Sequence, residues 1–254
     1  MDALGDAVLH GIFRSAVGEA YHQKRSAFES LLKDAGQTLP GFVKKVFGKQ
    51  RFKDTSTRKR DLVLELLRDQ LSAQSWRLIR DRLRTQPYLT DRRHTEEYAF
   101  DIALGWLEEE LIIEQLEARL PKGTSIKRVG IDSMREFLSL NIRATADLEI
   151  RSSRRVLLVD IFVDHTGSWK KNGFMDLKAG KLKHFKEGRL DLVLGLDLQA
   201  RRFHLVTGAE AAGIPMRPNA AMGGTATAPV PVRHGVTLSR VSALVASALR
   251  KSQR

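Results

Sequence analysis

Two neighbouring apolar runs, each carrying a carboxylate, constrain the fold of this chain more than any other feature. The first run reads VLLVDIFV over residues 156–163, with Asp160 near its centre. The second reads FMDLK over residues 174–178 and contains Asp176 and Lys178. Short runs rich in β-branched, leucine and aromatic residues favour β-strands. We therefore predict two strands, and a carboxylate inside such a strand requires a partner or a function.

The relative register of these two strands decides what their polar side chains can do. Side chains alternate between the two faces of a strand, so Asp176 and Lys178 point to the same side. If the strands form a hairpin in which Asp160 lies opposite Asp176, all three side chains share one face. A one-residue shift would turn one strand over. Residues 165–173 contain no two-residue turn that would set the register, so the sequence leaves it open.

A third carboxylate belongs to the strand that precedes this pair. Residues 145–151 and 155–163 are separated by a short polar turn, which favours an antiparallel pairing. With that turn, Asp147 lies opposite Leu158, on the face of the sheet that carries Asp160. Three acids and one lysine are therefore expected on one patch.

Carboxylates this close repel each other unless a cation lies between them or one keeps its proton. A pair with oxygen ligands alone suits Mg²⁺, which also retains waters and binds phosphate oxygens. A nearby lysine can orient an attacking water or stabilise charge on a phosphorane. This chemistry is phosphodiester hydrolysis. It makes Asp160, Asp176 and Lys178 candidate catalytic residues, and Asp160, Asp176 and Asp147 candidate Mg²⁺ ligands.

Asp160 followed by Asp176-Leu177-Lys178 resembles the motif of the PD-(D/E)xK nuclease superfamily, most closely that of type II restriction endonucleases. The similarity covers residues 96–208 and includes the family's order of helix, three strands, helix and strand. It implies an α/β fold, in which a mixed central β-sheet nuclease core is flanked by helices, with an N-terminal helical region added. The chain has Val159 where the family often has proline, and Gly188 and Gly195 interrupt the segment in which the second helix is expected.

An alternative frame places the family's acid pair one strand earlier, at Asp147 and Asp160, and leaves Asp176 as an accessory group. In that frame the position of the lysine is occupied by Phe162, which cannot donate to a phosphate or to a water. The frame that contains Lys178 is therefore preferred on sequence grounds.

The organisation of the chain follows from its turn and helix signals. Residues 1–93 show helical periodicity and form a candidate DNA-binding or dimerisation region, and residues 94–254 form the nuclease core with a C-terminal loop and helix. A helix is predicted from Thr95, where Glu96 favours the positive end of the helix dipole. Glu110 on this helix either faces the metal site as an accessory residue or lies at the surface.

The net charge of +13 and pI near 10.2 make a nucleic acid the natural partner. Lys181 and Lys183 are candidate phosphate contacts, and His184 beside them is a phosphate contact, a general base or a surface residue. Residues 208–237 are rich in glycine and proline and read as a long loop. Four side chains of this stretch are candidates for reading base edges, the alternative being a surface segment with no such role: Arg217, Asn219, Arg233 and His234.

Composition also restricts the class of protein. The chain has no cysteine, which fits a reducing cytoplasm, and no apolar run approaches the roughly 18 residues that a membrane span needs. The expected function is that of a cytoplasmic, Mg²⁺-dependent endonuclease, acting as a homodimer on a specific site in double-stranded DNA. The alternatives are a repair or phage-defence nuclease of the same fold, and a basic DNA-binding protein without catalysis.

Overall fold

A computed structural model of the protein describes residues 3–48, 57–68, 71–84, 95–129, 146–220, 224–232 and 235–250. The described residues divide into two compact units, of which the first ends at Glu110 and the second begins at Leu111. This division falls inside a helix, whereas the sequence-based division lies between residues 93 and 94. Among the described helices, none has the length and hydropathy of a membrane span.

Every regular element described in the first unit is helical, so the predicted N-terminal helical region is confirmed. The elements are α1 (Ala3–Asp34), α2 (Leu39–Phe47), α3 (Thr57–Leu67), α4 (Ala73–Arg84) and α5 (Thr95–Glu117), of which α5 continues into the second unit. The helix predicted after Thr95 is present as α5.

Aromatic stacking and a buried ion pair join α1 to α5 within the first unit. The rings of Tyr21 and Phe100 stack with their centroids 4.7 Å apart. Close by, the buried Lys24 ammonium donates to Asp101 at 2.8 Å and lies 3.5 Å from Glu97. A buried ammonium would be costly without such partners. These contacts therefore hold the two helices in one arrangement.

The second unit contains all of the described strands. Its elements after α5 are β1 (Ser125–Arg128), β2 (Leu148–Arg151), β3 (Val156–Asp164), α6 (Ser168–Asn172), β4 (Phe174–Lys178), α7 (Ala179–Lys186), β5 (Leu192–Asp197), β6 (Arg202–Thr207), α8 (Gly208–Ala212), β7 (Arg217–Asn219), β8 (Thr225–Pro231) and α9 (Leu238–Arg250).

The larger sheet has five strands in the order β1-β2-β3-β5-β6. Strand β3 runs parallel to β5, and the remaining neighbours are antiparallel. The predicted α/β class with a mixed sheet is therefore confirmed. Gly188 and Gly195 put the second helix of the core in question. That helix is present as α7, which ends before Gly188, and Gly195 lies in β5.

The predicted hairpin between the strands of Asp160 and Asp176 does not form. Strand β4 belongs to a separate three-stranded sheet of order β4-β8-β7, in which Asp176 pairs with Pro229. The reason is that β2 and β5 occupy both edges of β3, so no edge of β3 remains open to β4. The hairpin expectation is therefore wrong.

The stretch predicted as a long loop contains regular structure, because α8, β7 and β8 lie within it. Prolines in β8 do not prevent pairing with β4. The amide of Val232 donates to the carbonyl of Gly173 at 3.1 Å on the β4 side. Backbone amides point alternately to the two edges of a strand, so an N–H group at Pro229 or Pro231 would point away from β4, towards the β7 edge. Strand β7 pairs only with residues 225–227, so no hydrogen bond is lost at these two prolines.

Both sheets contribute side chains to one apolar core in the second unit. Trp169 from α6 is buried in it together with Met175 of β4 and Val193 of β5. The six-membered ring of Trp169 packs on Gly195, where an added Cβ would meet it at 2.8 and 2.9 Å. A side chain at position 195 would displace the indole, so the glycine is required by close packing.

Candidate active site

Asp160 occupies the middle of β3, a strand with neighbours on both edges, and only 4% of the residue is exposed. It lies on the same face of β3 as Leu158 and Phe162, which pack against the core shared by the two sheets. A carboxylate at this depth needs compensating partners. Two such partners reach it, one from the residue before the adjacent strand β2 and one from α7.

Asp147 is the first partner. It immediately precedes β2, and its side chain lies close enough to that of Asp160 to influence the pKa of Asp160. Backbone contacts hold Asp147 in place. Its amide donates to Val159 O at 2.9 Å, and its Oδ2 accepts from the amide of Ile161 at 2.7 Å. The observed register pairs Leu148 with Val159 and so differs by two residues from the predicted one. A shift by two keeps the face, and the predicted neighbourhood of Asp147 and Asp160 is correct.

Lys181 is the second partner. Its ammonium group forms an ion pair and a hydrogen bond with Oδ1 of Asp160. The lysine is the third residue of α7 and 23% of its side chain is exposed, so it connects the buried carboxylate to solvent. In the alternative frame, which uses Asp147 and Asp160, the position of the lysine is occupied by Phe162. The helix α7 supplies the missing ammonium group through Lys181. Sequence spacing missed this role, because no strand periodicity relates Lys181 to Asp160.

His184 follows Lys181 by three residues, so both side chains lie on neighbouring positions of one face of α7. Its pKa is lowered from the usual 6.5, first by burial and then by the positive charges of Arg189 and Lys181. The imidazole is therefore more readily neutral at physiological pH and can accept a proton. The charges of His184 and Asp160 also interact.

The pKa of Asp160 is raised above its usual 3.8, chiefly because burial disfavours the charged form. The charge of Lys181 and hydrogen bonds from Lys181 and Asp147 oppose this effect. Asp160 therefore holds a proton more strongly than an isolated aspartate does.

Asp176 and Lys178 lie on the outward face of the three-stranded sheet, away from this cluster. Met175 and Leu177, which alternate with them, face the apolar core. The two carboxylate oxygens of Asp176 accept hydrogen bonds from Thr227 Oγ1 at 2.7 Å and from Asn219 Nδ2 at 2.8 Å. The structure thus brings Asp160 together with Asp147 and Lys181, but not with Asp176.

The remaining sequence candidates fall into three groups. Lys183 is exposed, with Glu187 3.7 Å from its ammonium, and Arg217 is exposed on β7. Glu110 is fully buried in α5, so the surface alternative is wrong for it. Arg233 and His234 lie outside the described residues.

The described part of the chain contains no group of three or more His, Asp or Glu side chains placed to hold a metal ion. The two carboxyl groups of Asp147 and Asp160 are the oxygen pair that the cluster offers. Such a pair suits a cation that is bound through one or two carboxylates and keeps its remaining ligands as water or phosphate oxygens.

Comparisons with protein-family models, with curated proteins and with solved structures found no match to this chain.

Proposed function

We propose that this protein is a cytoplasmic, Mg²⁺-dependent endonuclease that hydrolyses phosphodiester bonds in double-stranded DNA. Asp147, Asp160 and Lys181 form its active site. The observation that carries the proposal is the buried carboxyl group of Asp160, with the half-buried Asp147 beside it and the Lys181 ammonium paired to it. The catalytic lysine is thus assigned to α7 and not to Lys178, and the second acid to Asp147 and not to Asp176.

The donor set fits a hard divalent cation. Two carboxylates this close repel each other, and Mg²⁺ bound between them would remove that repulsion. When bound, Mg²⁺ polarises a phosphoryl oxygen and makes a coordinated water more acidic.

The protein side chains supply positioning and proton transfer. Asp160 orients the ammonium of Lys181, which then donates to the attacking water or to the oxygens of the reacting phosphate. His184, with its lowered pKa, is available to accept a proton beside them. Lys183 and Lys186 on the same helix are exposed and suited to bind flanking phosphates.

The charge distribution supports DNA as the substrate. Lys and Arg outnumber Asp and Glu by a much larger margin after residue 110 than before it. The excess positive charge is therefore concentrated in the unit that holds the proposed active site. Such a field raises the local concentration of a polyanion and steers its association.

The specific form that we propose is a type II restriction endonuclease that acts as a homodimer on a palindromic site, so that each active site cuts one strand. A repair or phage-defence nuclease would use the same active site without a fixed sequence. In a DNA-binding protein without catalysis, the ion pair between Asp160 and Lys181 would be structural only.

One assay separates these functions. Supercoiled plasmid is incubated with the purified protein in Mg²⁺ and, separately, in EDTA. Discrete fragments in Mg²⁺ alone support restriction, and a smear supports an unspecific nuclease. Intact plasmid in Mg²⁺, together with a gel shift of the same DNA, would reject catalysis and leave the binding function.

A further inference from the structure

The outward face of the three-stranded sheet is a rigid polar surface separate from the acid pair. Its inward side is anchored by Met175 and Leu177, which are buried in the apolar core. Its outward side carries Asp176 and Lys178 of β4 together with side chains from the short strand β7. Groups on strands that are anchored in this way are held in place more accurately than groups on loops.

Asp176 orients one of those side chains, Asn219. The amide nitrogen of Asn219 donates to Oδ2 of Asp176, and the fully buried Thr227 donates to Oδ1. Both carboxylate oxygens are thereby used in a three-residue network that spans all three strands. Such a network fixes which end of the Asn219 amide group is directed at the sheet.

Arg217 lies two residues before Asn219, on the same face of β7. Its guanidinium carbon is 4.3 Å from the centroid of the Phe174 ring, a cation–π contact that limits the directions the side chain can take. The arginine is nevertheless exposed. It is therefore both oriented and accessible to a partner.

An oriented arginine and an oriented asparagine on a β-ribbon are the chemistry of base recognition. Arginine makes bidentate contacts with guanine and asparagine with adenine, and the major groove admits a two-stranded ribbon. Strands β7 and β8 are antiparallel neighbours in the three-stranded sheet, and β7 lies at its edge, where its side chains can approach a groove. Lys178 on the same face, followed directly by the basic helix α7, adds positive charge for the DNA backbone.

We propose that this outward face reads the base edges of double-stranded DNA through Arg217 and Asn219, with Asp176 as the positioning residue for Asn219. The inference rests on the proposed function only in taking DNA as the partner. It assigns Asp176 to recognition and leaves catalysis to the cluster of Asp160.

The test is binding selection in EDTA, where cleavage cannot contribute. Full-length protein selects duplexes from a pool with a randomised central region, and the enriched sequences give the preference at each position. Arg217→Ala and Asn219→Ala should each lose preference at one base position by about 5- to 150-fold. Affinity for the unselected pool, and its salt dependence, should change far less. Arg119→Ala and Asn172→Ala, two exposed residues elsewhere in the second unit, are the matched controls.

A double-mutant cycle tests the positioning role of Asp176. Asp176→Ala should reduce preference at the same base position as Asn219→Ala, and should have no further effect on it once Asn219 is absent. Thermal melting of each variant verifies that it is folded. Asp176→Glu, which keeps the acceptor oxygens, should recover part of the preference.

Two results would overturn the inference: a wild-type selection without sequence preference, or a preference that all three variants retain. Neither depends on cleavage. If the plasmid stays intact in Mg²⁺ but Asn219→Ala alters the base preference, the nuclease function is rejected and the recognition surface is supported. If the plasmid is cleaved but the variants leave the base preference unaltered, the nuclease function is supported and the recognition surface is rejected.

Discussion

The ammonium group of Lys181 is paired with the carboxylate of Asp160, although the two residues are 21 positions apart and belong to a helix and a strand. Between them the chain forms α6, β4 and the start of α7. The pairing brings a cation to a nearly buried acid whose other neighbour is a second acid, Asp147. Residues from three separate parts of the chain thus form this cluster.

Lys181→Ala should reduce single-turnover cleavage by about 10²- to 10³-fold, the usual cost of removing one group that stabilises transition-state charge. Lys178→Ala should cost much less, because Lys178 lies on the outward face of the other sheet. Binding of DNA in EDTA should be nearly equal in the two variants. Equal loss of cleavage in both, or a larger loss in Lys178→Ala, would favour the frame based on Asp176.

Asp147→Asn and Asp160→Asn should abolish Mg²⁺-dependent cleavage, because an amide in place of either carboxylate weakens the site for a hard cation. A second readout is the melting temperature. Mg²⁺ at about 100 times its Kd adds about 2.7 kcal/mol to the stability of the wild type, and this gain should be lost in both variants. Asp176→Asn is the control for the Mg²⁺-dependent gain in stability and should retain that gain, because Asp176 lies on the other sheet, away from the acid pair. An inactive Asp176→Asn beside an active Asp147→Asn would contradict the assignment.

Asp160→Asn should also change how stability depends on pH in EDTA. The pKa of Asp160 is raised in the folded state, so its favourable contribution is complete below 3.8 and is lost as the pH rises through the folded pKa. Asparagine cannot ionise. The variant should therefore melt at a higher temperature than the wild type near neutral pH, with a gain that shrinks as the pH falls towards 3.8.

Melting curves at several pH values measure this difference, with Asp81→Asn in α4 as the exposed control, where little change is expected. A variant less stable than the wild type at neutral pH would mean that the ion pair to Lys181 outweighs the cost of burial.

Gly195→Ala should destabilise the protein by about 1–3 kcal/mol, because the new methyl group would overlap the Trp169 ring in a packed core. Strand β5 is paired on both sides and cannot move away. Gly105→Ala in α5 is the control. Apart from the backbone of its own helix, no described atom lies within 4 Å of the methyl position at this residue, and alanine in a helix gains up to about 1 kcal/mol over glycine.

Urea denaturation of both glycine variants measures the two changes. The double variant Gly195→Ala/Trp169→Leu should be affected less than the sum of its parts, since the smaller side chain leaves room for the methyl group. If the two changes in unfolding free energy simply add, the strain in Gly195→Ala does not come from contact with the Trp169 ring.

Local signals in the sequence were sufficient to predict the principal elements. The apolar run around Asp160 predicts β3, and the acidic start after Thr95 predicts α5. The polar turn before Arg155 also places Asp147 on the face of Asp160. These features depend on side-chain periodicity and short-range turns, which act within a few residues.

Only the tertiary structure decided which strands and side chains meet. Strand β4 has the composition to pair with β3, yet β5 takes that edge and β4 pairs with β8, from a stretch whose glycines and prolines suggested a loop. Lys181 reaches Asp160 because the crossover between the parallel strands β3 and β5 carries α7 back over the sheet. Long-range pairing depends on which edges remain open and on how the core packs, and neither is encoded in the periodicity of a single segment.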